Sequence, residues 1–346
     1  MSDPTEPTSR PADESPPGES VPKVAPSRQH GGVAPSLLSR LDDAMAGHVW
    51  HPRVIPFLTY LILLTLTGTI ADYVPATYPL FYTLQIIVVS WMLWRYRDLL
   101  PELTLSFHWL AIPTGIIVFI AWVWLGMVVD EMQQVKDVGL GSFTSSLTQW
   151  FIDPGATSTA QGGAATSLHF VDEVARSDSI FIRLGLRDGS VLAWIAFIMR
   201  LIGMSIVVPL FEELFIRSLL LRSFNSAKNT FTGIVQVAQD FPVIGEKLMG
   251  TKLAEEADKQ PPMFEHEFKR VSLGTLSMFG IAASTLIFTL SHVPRDYAAC
   301  IFCGIAYCLC LRFTRHKGLG PVCWAHGITN ALIWIYTLHT DDWRFL

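Results

Sequence analysis

The sequence predicts an all-α protein, a polytopic bundle of about seven transmembrane helices behind an unstructured N-terminal tail. Half of the 346 residues are hydrophobic and only 16% are charged, against about 25% charge in soluble domains. The mean hydropathy is +0.37. Apolar runs recur at near the roughly 20 residues that a bilayer requires of a helix. The net charge of −5 is small, and provides no basic field for a nucleic acid partner.

Residues 1–46 are rich in Pro, Ser, Glu and Gly. They lack apolar clustering, which predicts a disordered tail. No basic start followed by an apolar core marks a signal peptide. Spans follow at Val54–Ala71, Pro79–Trp94 and Trp109–Val129, with Trp50, Tyr73, Tyr78, Trp91 and Trp94 as interfacial belts. The polar stretch Asp130–Ser190 has a Gly-, Ala-, Ser- and Thr-rich centre with no readable chemistry. The region from Val191 to Phe224 is too long for one simple span, and Arg200 and Pro209 predict a broken or kinked element. Asn225–Leu273 reads as a solvated loop, with an interfacial helix over Phe231–Leu253 as the alternative. The last spans are Thr275–Ser291, Tyr297–Phe313 and Leu319–Leu338.

Basic residues gather at Arg28, Arg40 and Arg53, at Arg95 and Arg97, at Lys269 and Arg270, and at Arg312, Arg315 and Lys317. With these spans all of them fall on one side, which puts the N-terminus in the cytoplasm. The chain then divides into a cytoplasmic tail (1–46), N-terminal helices with a polar loop (47–190), a functional membrane unit (191–338) and a short C-terminal tail (339–346).

The chemistry centres on Glu212 and Glu213, two adjacent acids with Arg217 in an otherwise apolar run. An ionisable residue at membrane depth is a functional hypothesis by default. Glu213 and Arg217 are four apart and share a helical face, whereas Glu212 points about 100° away and lacks a local partner. Taken alone, the trio fits a structural ion pair as well as a catalytic site. Two further groups bear on this: His292 closes Phe288-Thr-Leu-Ser-His292, and His326 and Asn330 are four apart in the last span. Together these residues supply a base, a second proton carrier and hydrogen-bond donors, which amide hydrolysis requires. The five cysteines all lie in the last two spans. Cys300-x-x-Cys303 is a weak redox or metal signal, and helix packing is the plainer reading.

Glu212-Glu213-x-x-x-Arg217, Phe288-x-x-x-His292 and His326-x-x-x-Asn330 resemble, in order, the three motifs of the CPBP intramembrane proteases. That family includes CAAX prenyl endopeptidases of the Rce type and bacterial Abi-type proteins. Gly304 and Gly320-Pro-Val-Cys-Trp-Ala-His326 also look like the family's approach to its third motif. Val54-Ile-Pro-Phe57 is similar to an exosortase-associated bacterial subgroup, which implies a bacterial inner membrane. The resemblance implies a glutamate-dependent endopeptidase acting on a membrane protein or peptide within the lipid bilayer. Glu212 would be the general base, His292 would hold the water, and His326 and Asn330 would stabilise the oxyanion, with Glu213 and Arg217 supporting. No cofactor is implied. A zinc enzyme using Glu212, His292 and His326 is one alternative, and a non-catalytic membrane scaffold or chaperone is another.

A conflict of depth remains in this reading. If Val191 starts its span at the outer face, Glu212 lies near the inner face and His292 near the outer one.

Overall fold

The computed structural model describes residues 36–137 and 182–345, apart from 184, 240 and 241. The tail before Ser36 and the centre of Asp130–Ser190 lie outside the described residues, as do the expectations placed on them. Among the described residues every regular element is helical. Helices α1 (Leu37–Gly47), α2 (His51–Tyr73), α3 (Tyr78–Arg95) and α4 (Ala111–Asp137) come first. Helix α5 (Val191–Ser223) follows. Four short helices come next: α6 (Ala227–Gln239), α7 (Pro242–Leu248), α8 (Lys252–Asp258) and α9 (Met263–Arg270). The chain ends on α10 (Met278–Leu290), α11 (Tyr297–Thr314) and α12 (Gly320–Thr340).

Among the described residues four segments are long and apolar enough to cross a membrane: His51–Ala71, Ala111–Met132, Val191–Ser223 and Pro294–Lys317. The chain is an integral membrane protein on that evidence. The other expected spans become α3, α10 and α12, and they fall short of the same test. Helix α10 has only 13 residues, and α12 carries His326, Thr329 and Asn330 on a largely buried surface. Helix α10 is apolar but too short to meet that test.

Polar contacts mark the two ends of the bundle. At one end Arg53, 4% exposed, clamps Glu102 through Nε–Oε1 at 2.6 Å and Nη2–Oε2 at 2.8 Å. Ser218 donates to the same carboxylate, and the Leu319 amide donates to the Glu102 carbonyl at 2.9 Å. Burial alone would raise the Glu102 carboxyl, but Arg53 and Ser218 outweigh it and hold the group below the usual range. Arg53, expected as a basic residue of the interface, is thus part of the core. At the other end Arg295 forks onto Asp130 with both bonds at 2.8 Å, and Arg344 adds a third.

Three expectations are corrected here. The stretch assigned to the tail ends in helix α1, started by the Ser36 hydroxyl on the Ser39 amide and docked by Arg95 on Asp42 at 2.9 Å. Asn225–Leu273 is four helices instead of a solvated loop. Thr251 caps α8, and the Gln236 side chain binds the Ala257 and Gln260 carbonyls and the Met263 amide. The region with Arg200 and Pro209 is one continuous helix of 33 residues. It absorbs its irregularity in two π-helical segments, Gly203–Val207 and Leu214–Leu220.

Candidate active site

Helix α5 is about 50 Å long at ~1.5 Å per residue, longer than the ~30 Å hydrocarbon core. Glu212 therefore need not lie near a face. It stands eleven residues before Ser223, and His292 fourteen residues beyond Met278 on the antiparallel α10. At ~1.5 Å per residue these are about 17 and 21 Å from the same end of the bundle. The depths meet, because α5 overshoots the bilayer and α10 stops short of crossing it. Contact between the two helices agrees: the Arg217 guanidinium lies 4.8 Å from the Phe288 ring centre, and His292 packs on the same ring at 4.6 Å.

The acids and His326 form a chain of contacts. Glu213 and Arg217 are both fully buried, with Glu213 Oε2 and Arg217 Nε 3.2 Å apart. The pair is close but poorly aligned, so none of the guanidinium nitrogens makes a hydrogen bond. The faces of Phe288 and Tyr307, at 4.8 and 5.4 Å, supply cation–π contact in its place. The other Glu213 oxygen, Oε1, lies 2.9 Å from His326 Nδ1. The second ring nitrogen, Nε2, faces Glu212 Oε2 at 3.7 Å, too far for a direct hydrogen bond. Glu212, without a partner on its own helix, thus finds one on α12. Tyr307 lies against the His326 ring at 5.2 Å, and its hydroxyl is held by Thr329 at 2.8 Å.

Asn330 takes a position that the π segment explains. The Val208 amide bonds to the Gly203 carbonyl, five residues back. The next bond in that register would run from residue 209 to Met204, but Pro209 has no N–H. Asn330 Nδ2 donates to the Met204 carbonyl at 2.9 Å instead. A carboxamide has two N–H donors, so one is left. Close helix approach allows this: a Cβ on Gly327 would sit 2.3 Å from the Ser205 carbonyl.

His292 lies just past α10, with Nδ1 2.8 Å from the Phe288 carbonyl. Trp122 of α4 meets its ring edge-on at 5.9 Å. The structure therefore brings together Glu212, Glu213, Arg217, His326 and Asn330, with His292 joined to them through Phe288. Trp122, Tyr307 and the Met204 carbonyl were not foreseen. In the sequence Trp122 and Tyr307 are aromatic residues in apolar runs and look like any packing residue.

The zinc alternative would draw on Glu212, His292 and His326. Among the described residues no group of three or more His, Cys, Asp or Glu side chains is gathered to hold a metal ion. His326 Nδ1 faces the Glu213 carboxylate and His292 Nδ1 the Phe288 carbonyl, contacts that orient each ring through one nitrogen. The five cysteines are free and buried, consistent with packing.

Fold and site define a helical membrane protein with a carboxylate–imidazole site enclosed in its bundle. Residues 261–332 match the family model of the type II CAAX prenyl endopeptidase Rce1-like proteins. That match supports the CPBP, or CAAX-protease, family. The matched stretch contains His292, His326 and Asn330 and leaves Glu212 outside. The family supports an intramembrane CAAX-type protease. No curated protein and no solved structure matches the chain significantly.

Proposed function

We propose that this protein is an intramembrane endopeptidase of the glutamate type, cutting a membrane protein or peptide with water activated by Glu212. The observation that carries this reading is His326 set between two carboxylates. Glu213 holds Nδ1, which orients the ring and turns Nε2 toward Glu212. With His326 protonated, two carboxylates are balanced by Arg217 and the imidazolium, and the buried group is neutral overall.

In this reaction Glu212 takes a proton from water while the water oxygen bonds to the scissile carbonyl carbon. The carbonyl π electrons move to oxygen, and the oxyanion is met by His326 Nε2–H and the remaining Asn330 N–H. Collapse breaks the C–N bond, and the proton held by Glu212 leaves with the amine. His292, set by Phe288 and Trp122, holds the water. We also propose a cytoplasmic N-terminus in a bacterial inner membrane, since Arg53, Arg95, Arg97, Arg315 and Lys317 gather at the Glu102 end.

The test is cleavage of a membrane-peptide library by purified protein in detergent, with and without a strong chelator. Cleavage that survives chelation and is lost in Glu212→Gln supports the proposal. Loss on chelation would turn it toward a metalloenzyme, and a folded wild type that cuts nothing would turn it toward a scaffold.

A further inference from the structure

Several hydroxyls on buried helical turns of this protein bond the carbonyl one turn back. Thr230 does so to Ser226 at 2.8 Å, Ser284 to Gly280 at 2.7 Å and Thr314 to Cys310 at 2.8 Å. Others, such as those of Ser223 and Thr337, have no partner. Thr285 and Thr289 of α10 belong to this second group, and neither hydroxyl has a partner in the protein. With His292 they stand at i, i+4 and i+7, one stripe of the helix. The stripe faces α11, since a Cβ on Gly304 would touch Thr285 at 2.6 Å.

Two more buried polar atoms continue the line. Trp122 Nε1, on the ring that meets His292, makes no hydrogen bond. Asp296 Oδ1, at the head of α11, makes none either, with Arg295 Nη1 4.0 Å away. Asp296 adjoins the Arg295–Asp130 pair at the end of the bundle, and Cys300, one turn along α11, is in electrostatic reach of both Asp296 and Glu212.

Buried polar atoms without partners carry a desolvation penalty. A row of them leading to one site needs a ligand that offers both donors and acceptors. Thr285, Thr289, Asp296 and Trp122 are buried, and water is the smallest ligand that offers both. We infer that Asp296, Trp122 and Thr289 line a water file between α4, α10 and α11 that reaches the His292–Glu212 site from the Asp130–Arg295 end, with Thr285 one turn beyond the site. Buried water characteristically satisfies such groups. The inference rests on the proposed hydrolysis for its purpose, while the file itself is testable without it.

The experiment is pulsed X-ray hydroxyl-radical footprinting of the full chain in detergent, read by mass spectrometry. Radicals form on bound water, so residues along the file label despite their burial. Trp122, corrected for intrinsic reactivity, should label severalfold faster than the buried Phe211 and Tyr307. Thr289→Val keeps the side-chain shape and should slow both Trp122 labelling and peptide turnover, lowering kcat without raising KM. Trp122 labelling as slow as that of Tyr307, or unchanged in Thr289→Val, would overturn the inference. Rapid labelling in a protein that cuts no peptide would keep the file and remove the hydrolysis, and cleavage with Trp122 unlabelled would do the reverse.

Discussion

His326 and Glu213 are 113 residues apart in the chain, yet Nδ1 and Oε1 meet at 2.9 Å in the core. This contact ties α12 to α5 and gives the two adjacent acids different surroundings. Glu213 is locked between Arg217 and His326, whereas Glu212 meets only the far nitrogen of the same ring. In the proposed reaction the locked acid supports and the other acts as the base.

That division predicts a stability effect. Glu213→Ala leaves the buried Arg217 without a counter-charge, a loss of about 3–5 kcal/mol when one partner of a buried pair is removed. Adding Arg217→Met should recover most of it. Thermal melting of the two variants in detergent checks this, and equal melting temperatures for single and double variant would contradict it.

The helix chemistry at Pro209 predicts coupling with Asn330. Asn330→Leu strips the Met204 carbonyl of its donor and should cost about 1–3 kcal/mol. In a Pro209→Ala background a backbone N–H becomes available to that carbonyl, so the same substitution should cost less. A double-mutant cycle measures the difference. Full additivity would mean that Asn330 does not stand in for the missing amide.

The Glu102 clamp predicts a pH dependence. Its carboxyl is held below the usual range, so it stabilises the fold above the unfolded value of about 4.3. That contribution disappears as pH falls through the lower folded value. Glu102→Gln should therefore destabilise at neutral pH, by about 3–5 kcal/mol if Arg53 stays buried. The gap to wild type should close as the pH is lowered below 4.3. Parallel melting curves across the pH range test it, and a constant gap would count against it.

Glycine spacing in α4 predicts a packing limit. A Cβ on Gly115 would stand 2.7 Å from the Ala325 carbonyl and 2.8 Å from Ile328. Its carbonyl also accepts from Thr329 at 3.0 Å. Gly115→Val should force α4 off α12 and cost about 1–3 kcal/mol. Gly47→Ala, whose nearest neighbour would be 4.0 Å away, is the matched control for thermal melting.

Much of this was legible in the sequence, for physical reasons. Helices that face lipid must be apolar along their length, so α2, α4, α5 and α11 were visible as runs. The site residues stood out because charge in such runs is costly. Helices α6 to α9 were visible only as the interfacial-helix alternative over Phe231–Leu253, because pieces such as α8, with seven residues, are too short to form on local propensity. They are set by contacts such as those of Gln236. The π segments were hidden too: Pro209 announced an irregularity, but the rescue of the Met204 carbonyl comes from Asn330 on a distant helix. The depth conflict between Glu212 and His292 came from assuming that each run matches the bilayer thickness, whereas α5 has 33 residues and α10 only 13.

The most direct measurement is the turnover of one cleavable membrane peptide by Glu212→Gln and Glu213→Gln, each with its melting temperature. Glu212→Gln should lose roughly 10²–10⁴-fold in kcat, the usual contribution of a general base, while melting close to wild type. Glu213→Gln should lower the melting temperature. A Glu212→Gln enzyme that keeps turnover within about tenfold of wild type would contradict Glu212 as the base.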